Sequence, residues 1–134
     1  MKLTAPSLGV KQPATESLIA KVVRELAGRE DPFAILELDE LTYMQVLWTP
    51  EGYDLEYQER NIMHHFRLAR LVTAAEATLT LQNYLAGDQT WKERLEFVKK
   101  DVATWRYRIG YTIGQFVGGF RRGLRQVRDS NKLA

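Results

Sequence analysis

The apolar positions of this chain change period along its length. Leu18, Ile19, Val22, Val23 and Leu26 recur at helical spacing behind Thr15, whose hydroxyl can cap a helix. Gly28 stands where the left-handed residue after a helix end belongs. Together they predict an amphipathic helix of three turns. Residues 33–70 then turn twofold, in four segments separated by turn residues: 33–38, 41–48, 53–59 and 62–70. These read as an antiparallel meander. A one-residue slip would exchange the faces of a strand, so agreement between neighbours tests the register. Pairing Leu38 with Leu41, Trp48 with Tyr53 and Glu59 with Ile62 collects Phe33, Ile35, Met44, Val46, Leu55, Tyr57 and Phe66 on one apolar face, with His64 at its end. The opposite face takes Ala34, Leu36, Leu38, Leu41, Tyr43 and Leu47 towards one edge. Towards the other it takes Gln45, Asp54, Glu56, Gln58, His65 and Arg67, a polar half expected to face water.

A second helix is announced by the capping box Thr73-Ala74-Ala75-Glu76, with Ala77, Leu81, Tyr84 and Leu85 as its stripe and Gly87 as its stop. Both helices are expected on the apolar sheet face. Residues 91–100 allow two readings. Trp91, Leu95, Val98, Val102, Trp105 and Ile109 follow a helical spacing, which is the favoured one, while Leu95 and Phe97 alternate as in a strand. Residues 1–14, broken by Pro6, Gly9 and Pro13, read as a loose leader. The expected fold is α+β: a four-stranded antiparallel meander with two helices packed on one face and a long C-terminal helix. The body covers 15–98 and the helix 99–134.

That last segment has its own signature. Gly110, Gly114 and Gly118 recur every four residues beside Ile109, Ile113, Phe116, Val117 and Phe120. Each glycine costs a helix interior about 1 kcal/mol relative to alanine, so three in register are expected where another backbone comes close. Small residues four apart remove the Cβ atoms that hold two helices apart. The segment is therefore expected to self-associate, with Gly110, Gly114, Gly118, Phe116 and Phe120 at the contact.

Charge sharpens this division. The formal net charge of +2 hides ten Lys/Arg against fifteen Asp/Glu in residues 1–98, net −5, and nine Lys/Arg against Asp101 and Asp129 in residues 99–134, net +7. An acidic body with a basic tail suggests complementarity within an assembly, or an external polyanion. Arg121, Arg122 and Arg125, interleaved with aromatic residues, are the residues that would meet nucleic acid or anionic lipid in the second case. Arg125 and Arg128 also suit the end of a helix.

Composition narrows the classes. At 134 residues the chain is one domain's worth, and 45% hydrophobic with 27% charged residues excludes a disordered or multi-span membrane chain. With no cysteine there is no disulfide, thiolate nucleophile or Cys-based zinc site. The first ten residues lack a secretory apolar run, and the charge-free stretch 109–120 would span about 18 Å as a helix. A cytoplasmic location is expected. Glycine-rich phosphate loops, nucleophile elbows and metal-binding helix motifs are missing from the sequence, and no cofactor is implied. Adjacent His64 and His65 point to opposite faces of a strand, which argues against a shared metal.

One pairing could carry chemistry. The register sets Glu56 beside both Gln45 and His65, and Asp54 beside Arg67. A carboxylate next to an imidazole orients the ring, so Glu56 and His65 are the candidate acid/base pair of a small enzyme. Cross-strand ion pairing explains the same residues and is preferred.

The stretch Tyr43-Met-Gln-Val-Leu-Trp-Thr-Pro-Glu-Gly-Tyr-Asp-Leu-Glu-Tyr57, with Tyr84-Leu-Ala-Gly-Asp-Gln-Thr-Trp91 after the second helix, resembles small bacterial α+β proteins of unknown role, some of which accompany toxins as immunity proteins. The resemblance spans about residues 33–98 and transfers no functional residue. It implies a non-catalytic binding protein whose acidic surface masks a basic toxin site. The reading taken forward is a protein-interaction module and homo-oligomer with a protein partner. Nucleic-acid or anionic-membrane binding and a small enzyme are the alternatives.

Overall fold

The computed structural model describes residues 1–100, an α+β body built on one antiparallel sheet. In chain order it contains β1 (Lys2–Thr4), a 3-10 turn (Pro6–Leu8), β2 (Gln12–Pro13), α1 (Glu16–Leu26), β3 (Phe33–Asp39), β4 (Thr42–Thr49), β5 (Gly52–Gln58), β6 (His65–Leu68), α2 (Ala74–Ala86), α3 (Trp91–Arg94) and β7 (Phe97–Lys99). The strand order is β2-β1-β3-β4-β5-β6-β7. The expected four strands are thus the centre of seven.

Three strands were not foreseen as such. The expected loose leader instead supplies β1 and β2: Lys2 to Thr4 pair with Glu37 to Ile35, and Leu3 and Ala5 enter the core. Pro6 and Gly9 shape the return between the two strands, and Pro13 lies on the two-residue strand at the sheet edge, where a missing N–H does least harm. At the other end, α3 stops after one turn and β7 pairs with β6, setting Phe97 opposite Leu68. The strand alternative for this region is what forms, and the favoured continuous helix from Trp91 does not. The long C-terminal helix expected over 99–134 lies outside the described residues from position 101 onward.

Both helices begin as their sequence signals require. Thr15 Oγ1 accepts from Leu18 N–H at 3.1 Å, and Thr73 Oγ1 from Glu76 N–H at 3.2 Å. Gly87 closes α2 in the left-handed region, its N–H on the carbonyls of Asn83 and Tyr84. Ile19, Val22, Val23 and Leu26 from α1 and Ala77 and Leu81 from α2 form one buried cluster with Ala34, Leu36, Met44, Val46 and Leu55 from the sheet.

That list shows where the β3 register departs from expectation. Asp39 pairs with Thr42 but Glu37 with Tyr43, so Leu38 is an extra residue in the ladder. Such a bulge shifts everything before it by one position and turns the strand over. Ala34 and Leu36 face the helices, and Phe33 and Ile35, expected there, lie on the other side. Asp39 Oδ1 accepts from Leu41 N–H at 2.9 Å, a local turn that fixes the tip. Between β4 and β5 the register is as expected, with Trp48 opposite Tyr53 and Met44 opposite Tyr57. Between β5 and β6 it slides by two residues, pairing Tyr57 with Phe66, which preserves the faces. Residues 60–63 form a four-residue loop in place of the expected tight turn, closed by Glu59 N–H on the His64 carbonyl at 3.0 Å.

Candidate functional site

The sheet face away from α1 and α2 carries the residues singled out for chemistry. Asp54 and Glu56 come from β5, His65 and Arg67 from β6, each pair two residues apart and so on one face. The slide of the β5–β6 register puts Arg67 directly opposite Glu56 and His65 opposite Gln58. The expected partners still meet, on the diagonal. Arg67 Nε and Nη2 both reach Asp54 Oδ2 at 2.8 Å, Arg67 Nε stands 3.5 Å from Glu56 Oε1, and His65 Nε2 lies 3.2 Å from Glu56 Oε2. Arg67 therefore bridges two carboxylates, and Glu56 spends one oxygen on it and the other on His65.

This polar face was expected to meet water, yet Gln45, Asp54, Glu56 and Gln58 are 2–4% exposed and His65 is fully buried. Gln58 Nε2 donates to the Leu41 carbonyl at 3.1 Å, and Tyr43 Oη to Gln58 Oε1 at 3.4 Å, which extends the network to the β3–β4 hairpin. Buried charges of this kind hold only when paired, because desolvation alone would cost several kcal/mol per ion.

His64 is not at the end of the core face. It sits exposed in the β5–β6 loop, its Nδ1 3.4 Å from Asn61 Nδ2. Among the described residues no cluster of three His, Cys, Asp or Glu could hold a metal ion, and no helix is long and apolar enough to cross a membrane. Gly110, Gly114, Gly118, Phe116, Phe120, Arg121, Arg122 and Arg125 lie outside the described residues.

A second feature was missed by the sequence reading. At the end of the sheet holding the β3–β4 hairpin and the β5–β6 loop, a groove of ≈ 660 Å³ opens against the C-terminal end of α2 and the start of α3. Asp39, Glu59 and Asp88 line it together with Arg60, His64 and Lys92. Its wall includes Tyr84 and Trp91, part of an aromatic cluster in which Tyr57 stacks on Phe66 and takes the edges of Trp91 and Phe97 at 4.8 and 4.9 Å. Lys92 pairs with Glu59, and its Nζ lies 5.5 Å from the Trp91 ring centre and 5.8 Å from that of Tyr57.

Electrostatics and burial mark this wall. The Tyr84 hydroxyl is pushed up to about 12, by burial first and then by the charges of Glu59 and Asp39. Tyr57 is likewise pushed up to about 12 by burial and Glu59. Asp88 is held below the usual carboxylate range by its hydrogen bonds to Thr90. Tyr84 Oη and Trp91 Nε1 are buried with no hydrogen-bond partner among the described residues. Leu38, which lines the groove, and Met63, next to His64 in the β5–β6 loop, are more than 60% exposed, and Leu41 and Ile62 in the same two turns are exposed as well. These residues come from separate segments, so periodicity within any one of them gave no signal. The unusual feature of the sequence was the run of apolar residues at turn tips, Leu38, Leu41, Ile62 and Met63.

No protein-family model matches the chain, and neither the curated proteins nor the solved structures contain a match.

Proposed function

We propose that the chain is a non-catalytic protein-interaction module of the immunity type, with an acidic body that binds a basic protein surface and a C-terminal segment through which it self-associates. The observation that carries this reading is the sheet end, where exposed Leu38 lines a groove together with three carboxylates, and Leu41, Ile62 and Met63 are exposed in the β3–β4 and β5–β6 turns that supply other lining residues. Exposed apolar residues gathered around charged ones are the make-up of a protein-binding surface.

The alternative use of the body, acid/base chemistry by Glu56 and His65, is less well supported. A general base needs a lone pair directed at substrate, and both oxygens of Glu56 already face cationic or imidazole nitrogens on the neighbouring strand. The network serves the sheet, as cross-strand pairs do.

For self-association the support is the recurrence of Gly110, Gly114 and Gly118 beside Phe116 and Phe120. Light scattering on the full chain over rising concentration tests it. A mass above the monomer is expected, and Gly114→Leu should return it to the monomer. A wild-type chain that stays monomeric at the highest concentration contradicts self-association.

A further inference from the structure

We draw no further inference here: the strongest candidate, the surface patch at the sheet end where Leu38 and Leu41 of the β3–β4 hairpin and Ile62 and Met63 of the β5–β6 loop stand exposed, carries nothing because both signs of charge line the groove that Leu38 enters and nothing in the structure shows what covers the patch.

Discussion

Arg67 makes its two shortest ionic contacts with Asp54, a residue that lies diagonally across the sheet from it and not opposite. The reason is reach: a guanidinium on one strand spans the diagonal while its Nε stays within 3.5 Å of Glu56, directly across. One cation thereby serves two carboxylates that are almost fully buried. Arg67→Met should cost about 3 kcal/mol, since it strands buried charge. Urea denaturation reads the loss. A lysine at this position should recover only part of it, because an ammonium lacks the fork that meets Asp54 with two nitrogens. Recovery to the wild-type midpoint by Arg67→Lys would show that geometry matters little here.

Gly52 gives a comparison between two glycines. It holds φ at +150°, and a Cβ there would stand 3.1 Å from both Leu71 Cβ and the Val72 carbonyl oxygen. The space is needed because Tyr53 and Val72 exchange two backbone hydrogen bonds of 2.8 Å, tying the segment before α2 to β5. Gly87 is also left-handed, with nothing within 4 Å of its would-be Cβ. Gly87→Ala should cost about 1 kcal/mol from conformation alone, and Gly52→Ala clearly more. Thermal melts of the two variants side by side decide the matter, and equal losses would contradict the close approach.

The tyrosines make stability sensitive to alkali. Tyr57 and Tyr84 are pushed up to about 12 in the fold, against about 10 in an unfolded chain. Between those values the folded state keeps protons that the unfolded state releases, so stability present below about pH 10 is lost as pH rises towards about 12. Urea midpoints should fall between about pH 9 and about pH 11, with phenolate absorbance rising late in the native protein. A flat midpoint over that range would rule out the burial of these hydroxyls.

Tyr84→Phe separates the hydroxyl from the ring. The hydroxyl is buried without a partner among the described residues, so removing it should leave stability at neutral pH unchanged or raise it by up to about 1 kcal/mol. It should also reduce the alkaline loss. A drop of more than that at neutral pH would reveal a partner for Tyr84 Oη.

Much of this fold was legible, and the exceptions have identifiable causes. Thr15, Thr73, Gly28 and Gly87 marked the helices correctly because caps are local chemistry. The β4–β5 register followed from alternation on both sides of one turn. β3 was turned over because residues 33–36 are Phe-Ala-Ile-Leu, apolar at every position, so nothing in the strand labels its faces and the extra residue Leu38 went unseen. β1 and β2 were lost behind Pro6, Gly9 and Pro13, which were read as breakers but only bend the chain back into the sheet. Phe97 gave the right hint for β7, outweighed by a helical spacing that ends in practice after one turn. The pairs of Asp54 with Arg67 and of Glu56 with His65 were found from the face they share, which a slide of two residues leaves intact. The groove was not found, since Asp39, Glu59, Asp88 and Trp91 meet only in three dimensions.

The described sheet has short margins. One rim is the two-residue β2, with Pro13 in it, and the other is the three-residue β7, which carries Lys99. A stray strand that tried to extend the ladder at either rim would find few free amides, a proline or a repelling ammonium, while the long strands β3, β4 and β5 are shielded between neighbours. The body is thereby discouraged from growing into fibres through its backbone and is left to meet other molecules through its side chains.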